Sequence, residues 1–318
     1  MPHTEVPSVR DIREAAERIG PYVRRTPLIS CKPCREFSRI AESLTLKLEC
    51  LQVTGSFKAR GAINKLKTLP AENLKRGLVT ASGGNHGLGV AYAGTVEKLP
   101  TTVFVPIGTP AAKIDKLRKW EAEVIVEGEA WDDSNRSALA AAQRDGLAYF
   151  HAFADPAIIA GQGTVALEIL DQAPRTDTLV VAIGGGGLIS GISIAAKAIN
   201  PNIQIIGVEP VGAATLYRSI KAGRLVELEK IDTAAGLGAR LSEPINFELV
   251  RRHVADIVLV TDDEMRSAAR WLWFELGVAA ELSGAAAVAA VLTGRCSIAD
   301  GERVCALVSG AGTDGMTN

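Results

Sequence analysis

An α/β fold is predicted, with two parallel-sheet domains and the smaller inserted in the larger. Short β-branched runs alternate with longer Ala-rich segments from end to end, and parallel strands require such helical crossovers. The chain has 318 residues, two domains at roughly 150 residues each. No Pro/Ser-rich linker, repeat or low-complexity tract divides them, so one domain is read as an insertion. The rhythm breaks near residues 149–156, which marks the return crossing. The expected division is 1–69 with 153–318 for the large domain and 70–152 for a small mobile one.

Buried parallel strands are expected at 78–81, 101–105, 123–126, 178–183, 203–208, 256–260 and 303–308, as short apolar runs rather than alternating ones. Helices are expected at 85–97, 110–120, 131–145, 156–171, 188–199, 262–275 and 281–293. Pro110 at a first helical turn and Asp262, Asp263 and Glu264 after a strand are start signals. The chain ends at Asn318 just past the last strand, so no appended regulatory domain and no feedback inhibition by a distant end product are expected.

With 35 Lys and Arg against 36 Asp and Glu, there is no basic excess of the kind a polyanion binder carries. Only 5% of residues are aromatic, which argues against stacking platforms for single-stranded nucleic acid. The most apolar stretch, 285–292, is far short of the roughly 20 residues that span a bilayer. Five cysteines, an odd number, and an N-terminus without an apolar leader indicate a soluble, cytoplasmic protein with free thiols. Cys31 and Cys34 have metal-ligand spacing but no second Cys/His pair nearby, so no zinc site is expected. His3, His151 and His253 are isolated and are read as structural or terminal.

Four segments carry chemistry. In the first, 54–62, Lys58 stands among small and apolar neighbours and opens an Ala-rich helical run. Such surroundings disfavour the charged amine and make it a usable nucleophile and base. Arg60 is equally readable as a structural ion-pair partner. The second, 80–87, contains Ser82, Gly83, Gly84, Asn85, His86 and Gly87 directly after a strand. A strand, a Gly-rich turn and a helix bring backbone N–H groups onto an anion. The third, 181–188, has four glycines, Gly184, Gly185, Gly186 and Gly187, at another such junction, suited to a phosphate. Glu209, about 20 residues on, imitates a dinucleotide fingerprint, but Ile189 or Ser190 stands where its third glycine belongs. The fourth, 305–315, is a strand ending in Ser309. The last three place their turns at the carboxyl ends of strands, where ligands sit in open α/β sheets.

Together with 19–28, 46–49 and 235–238, these segments resemble the fold-type-II pyridoxal-phosphate enzymes, the tryptophan-synthase-β-like group. Within it they are similar to the serine/threonine dehydratase and serine racemase branch. The resemblance runs along nearly the whole chain, in the family's order and spacing. It implies pyridoxal 5′-phosphate as cofactor, held by the large domain, and a homodimer. It implies that Lys58 carries the cofactor as a Schiff base and then acts as the base at Cα. Phe57 would lie near the ring, Asn85 at its 3′-oxygen and Ser309 at the pyridine nitrogen. Gly184–Gly187 would cradle the phosphate, with Gly236 nearby. Ser82, Gly83, Asn85 and His86 would hold the substrate carboxylate, mostly through turn amides, with Ser82 also counted as catalytic.

The implied reaction is loss of water from an L-β-hydroxy amino acid such as threonine or serine, giving a 2-oxo acid and ammonia. Racemases of the branch carry a serine where Gly83 stands, which favours dehydratase over racemase. Glu209 and Ala213 match two positions of the branch's divalent-metal site, but Thr215 replaces its aspartate, so no metal is expected. Ser309-Gly310-Ala311-Gly312 replaces the usual Ser-Gly-Gly-Asn, which admits a specialised substrate such as 3-hydroxyaspartate or phenylserine. The alternative within the same fold is an amino-acid racemase or a β-replacement enzyme, and the readings from other classes are an NAD-binding Rossmann oxidoreductase and a non-catalytic binder of small molecules.

Overall fold

The computed structural model describes residues 6–32 and 43–316. His3 and Cys34 lie outside the described residues. In chain order the helices are α1 Val9–Ile19, α2 Lys58–Thr68, α3 Ala71–Leu74, α4 Asn85–Glu97, α5 Ala111–Arg118, α6 Trp131–Asp145, α7 Pro156–Gln172, α8 Gly187–Ile199, α9 Thr215–Ala222, α10 Pro244–His253, α11 Asp262–Leu276 and α12 Leu282–Leu292. The strands are β1 Leu28–Ser30, β2 Leu44–Leu48, β3 Leu78–Ala81, β4 Thr101–Val105, β5 Glu123–Val126, β6 Ala148–Tyr149, β7 Thr178–Ala182, β8 Gln204–Pro210, β9 Asp256–Val260 and β10 Val304–Val308. All seven expected strands and all seven expected helices form, within a few residues at their ends. The sequence reading passed over β1, β2, β6, α1, α3, α9 and α10.

Six strands form one sheet in the order β1-β2-β10-β7-β8-β9, and four form a second in the order β5-β4-β3-β6. Every pairing is parallel except β1 against β2. β1 is an edge strand of three residues, and an antiparallel pair needs no helical crossover.

The alternation of side chains fixes which helices cover each face of the larger sheet. Val304, Ala306 and Val308 of β10 face α11 and α12, while Cys305 and Leu307 face the core made with α1, α7 and α8. α12 reads Leu-Ser-Gly-Ala-Ala-Ala-Val-Ala-Ala-Val-Leu and is buried almost throughout, as a helix apolar on every side must be. Helix starts follow local chemistry. Asp155 accepts from the N–H groups of Ala157 and Ile158, with Pro156 in the first turn of α7. Thr261 and Glu264 form a capping box on α11.

The four-stranded sheet is drawn from residues 78–149 and is covered by α4 and α5 on one face and α6 on the other. A third cluster, with Ile63, Leu66, Leu78, Val90, Phe150 and Ile158, joins α2 and α7 to that sheet. Among the described residues, no helix is long and apolar enough to cross a membrane.

Candidate active site

Register brings the chemical segments to one edge. Leu48 at the end of β2 pairs with Val308 at the end of β10. The chain leaving β2 therefore starts beside Ser309. It makes two short turns, with Thr54 at φ 65 and Gly55 at φ 86, and docks back on β10. The N–H of Phe57 donates to the carbonyl of Ser309 at 3.3 Å, and Ser56 forms a bridge with Gly310. α2 then begins at Lys58.

The Lys58 amine donates to the carbonyl of Ala152 at 2.7 Å and lies 5.3 Å from the centre of the Phe57 ring. Burial alone pushes its pKa down from 10.5 to about 8. Below pH 8 the amine is charged in both folded and unfolded chains, and the full cost of burying that charge applies. Between 8 and 10.5 the unfolded chain holds the proton that the folded one has shed, so stability rises with pH. Cofactor-free Lys58→Met is therefore expected to be more stable than cofactor-free wild type at pH 7, by up to about 3 kcal/mol. The gap should close toward pH 10.5, and denaturant melts across that range check it. Arg60 has the structural role. It is 1% exposed, with its guanidinium 2.7 Å from both Glu49 and Glu168, and Glu168 is 2.6 Å from the buried Lys47.

β3 delivers the second segment. Ser82 Oγ accepts from the N–H of Gly84 at 3.2 Å, and Gly84 opens α4 without a side-chain cap. The first N–H groups of the helix thus have no intrahelical acceptor and are left for an anion. A Cβ on Gly83 would come within 2.8 Å of the Thr109 methyl. The His86 imidazole turns into the core, 3.1 Å from the carbonyl of Phe150, and burial beside Lys58 pushes its pKa down to about 3. The ring is neutral and points away from the turn, so His86 can offer a carboxylate only its backbone N–H. Asn85 Nδ2 donates to Glu281 at 2.6 Å.

The four glycines lie between β7 and α8, a helix of 13 residues whose N-terminus has no side-chain cap. Gly186 has φ 99, favoured by glycine. A Cβ on Gly185 would overlap the Phe153 ring, and one on Gly187 the Phe153 carbonyl. Ser242 and Asn246 donate to the carbonyl of Gly185 at 3.0 and 2.9 Å. By contrast, a Cβ on Gly184 would meet nothing nearer than 3.6 Å, and one on Gly236 nothing nearer than 3.8 Å. Close packing against Phe153 therefore requires two of the glycines, while Gly184 and Gly236 have room beside them. Gly187→Ala is expected to displace the loop and weaken cofactor retention at least about tenfold, since a backbone overlap has no cheap relief. Titration of the cofactor-free variant with pyridoxal phosphate measures this.

Ser309 Oγ donates to the carbonyl of Ser283 at 3.2 Å. Glu209 is fully buried, and its carboxylate accepts from the N–H groups of Leu216 and Tyr217 at 2.9 and 2.8 Å. It caps α9, and burial pushes its pKa up to about 8. It is thus withdrawn from the ribose contact that the dinucleotide reading needs. Ala213 lies in the turn just before α9. Among the described residues, no group of three His, Cys, Asp or Glu could hold a metal ion.

These residues fit pyridoxal phosphate. Lys58 supplies a buried amine whose pKa of about 8 leaves a fraction in the neutral form near pH 7, the form that condenses with an aldehyde. The uncapped starts of α4 and α8 supply N–H groups for a carboxylate and a phosphate. Comparison with known proteins agrees. Residues 19–310 match the family described as pyridoxal-phosphate dependent enzyme. The chain belongs to that family. The chain is similar to an L-threonine ammonia-lyase of Thermotoga maritima, 39% identical over 308 residues that span 96% of this chain and 76% of the relative. A serine racemase of Arabidopsis thaliana is 39% identical over 286 residues, 90% of this chain and 86% of the relative. The structure of maize serine racemase superposes with a TM-score of 0.91 at 35% identity, covering 96% of this chain and 94% of that one.

Within this family site, Glu281 was missed from sequence. A glutamate just before the apolar run of α12 reads as an ordinary helix-start acid. Phe153 and Asn246, which shape the glycine loop, carry no motif at all.

Proposed function

We propose that this chain is a pyridoxal-phosphate-dependent dehydratase, converting an L-β-hydroxy amino acid such as threonine or serine to a 2-oxo acid and ammonia. The observation that carries the reading is the buried Lys58 amine, its pKa pushed down to about 8, in a chain whose β3 and β7 each lead into an uncapped helix start. The threonine ammonia-lyase relatives support the choice of reaction.

Pyridoxal phosphate, when bound, supplies the electron sink that acidifies the Cα proton. Lys58 takes that proton, and the fall in its pKa matches it to the task. Gly184–Gly187 and the start of α8 would hold the phosphate, with Gly236 nearby. Phe57 would lie near the ring, Asn85 at its 3′-oxygen and Ser309 at its nitrogen. Ser82 and the N–H groups of Gly83, Asn85 and His86 orient the substrate carboxylate. No Mg²⁺ or Ca²⁺ is assigned to Glu209 and Ala213, since Glu209 is spent on α9.

Residues 70–152 form the small domain that closes over 1–69 and 153–318, excluding water from the cleft. The working unit is a homodimer of the cytoplasm. The test is a panel of L-threonine, L-serine, L-3-hydroxyaspartate and L-phenylserine, read as 2-oxo acid and ammonia. The member with the highest kcat/KM names the substrate. A D-amino acid without 2-oxo acid would instead make the protein a racemase.

A further inference from the structure

Glu281 stands at the residue that starts α12, yet its carboxylate makes no cap on that helix. An acid in this place ordinarily accepts from the first turn's N–H groups. Here Asp314 does so instead, accepting from Leu282 N–H at 2.8 Å. Glu281 is thereby left for other partners, and its Oε1 accepts from Asn85 Nδ2 at 2.6 Å and from the hydroxyl of Ser283. The carbonyl of that same Ser283 accepts from Ser309. One carboxylate thus joins Asn85, on the helix after β3, to Ser309, at the end of β10.

Its position is fixed on several sides. A Cβ on Gly310 would overlap Glu281 Oε1, one on Gly312 would lie 2.6 Å from the Glu281 Cβ, and one on Gly284 would overlap the carbonyl of Gly310. The backbone closes further, with Glu281 N–H donating to the carbonyl of Gly310 at 3.2 Å. The charged groups that act on the carboxylate are Lys113 from α5 and Asp314 from the C-terminal segment.

We propose that Glu281 is a positioning residue of the cofactor site, holding Asn85 and, through Ser283, Ser309 in place across the cleft. This deepens the proposed function and rests on its placement of Asn85 and Ser309 at the ring. One Asn85 N–H is committed to Glu281, which fixes the amide's direction and leaves its other groups for the 3′-oxygen.

The test is the pH midpoint of the near-visible absorption of the holoenzyme without substrate. In Glu281→Ala the midpoint is expected to move by about one pH unit, a differential interaction of ~1.4 kcal/mol. kcat should fall at least about tenfold with little change in KM, as loss of geometry rather than of binding requires. Glu281→Gln, which keeps an acceptor for Asn85, should recover most of kcat. In an Asn85→Ala background the further change Glu281→Ala should move the midpoint by clearly less than in wild type, leaving only the part carried through Ser283 to Ser309. A midpoint equal to wild type, or a shift that persists in full without Asn85, overturns the proposal. If Glu281→Ala does not fold, Ser283→Ala is measured instead. A smaller midpoint shift is then expected, and none overturns it. A wild-type protein with no near-visible band would fail the proposed function itself, so the two failures are distinct.

Discussion

Lys58→Ala is expected to remove the near-visible band of the holoenzyme and to cut kcat by roughly a thousandfold or more. One side chain is both the attachment point and the proton acceptor. Among the described residues, no other lysine amine combines a pKa pushed down to about 8 with a place beside the uncapped start of α4. The nearest imidazoles cannot substitute as bases of matched strength, because burial pushes His86 down to about 3 and His151 down to about 4. Spectra and turnover of the purified variant, with 2-oxo acid as product, check both parts. A variant that kept wild-type turnover would remove Lys58 from the reaction.

Arg60→Met is expected to cost about 3–5 kcal/mol of stability, the usual result of breaking a buried charge pair from one side. The guanidinium makes two hydrogen bonds to Glu49 and one to Glu168. Glu168 would keep Lys47, but Glu49 would be left with the hydroxyl of Thr26 at 2.5 Å as its remaining side-chain donor. The double change Arg60→Met with Glu49→Leu should recover a large part of the loss, because no uncompensated charge remains. Urea midpoints of wild type and the two variants measure this. Equal losses in the single and double variants would place the cost in packing rather than in charge.

How much could be read from sequence varies with the physics of each element. Strands such as β7 and β10 are buried on both faces, so their continuous apolar runs stand out in any window. The Gly-rich turns were legible because side-chain-free residues after a strand are costly without a close neighbour or an anion. What they pack against was not legible. Gly185 and Gly187 are small because of Phe153, a residue more than 30 positions away with no periodic signal. β6 has two residues and β1 three, too short for any alternation to register. α10 is amphipathic but begins in a loop whose Pro244 reads as a turn. His86 shows the limit at the site itself. Its place in the chain is that of a polar turn residue, and only the fold reveals that the ring is turned inward onto Phe150.

The thiols make the protein its own reporter of integrity. Cys50, Cys296 and Cys305 are free and buried. Burial pushes Cys50 and Cys296 up to about 12 and Cys305 up to about 11. Thiolate is the reactive species, so at neutral pH these sulfurs neither meet an alkylating reagent nor carry the charge that would attack it. Cys305 lies in the middle of β10, between β2 and β7, and becomes reachable only when the central sheet comes apart. Its labelling rate is therefore a clock for opening of the strand that ends in Ser309, readable without adding any probe to the chain.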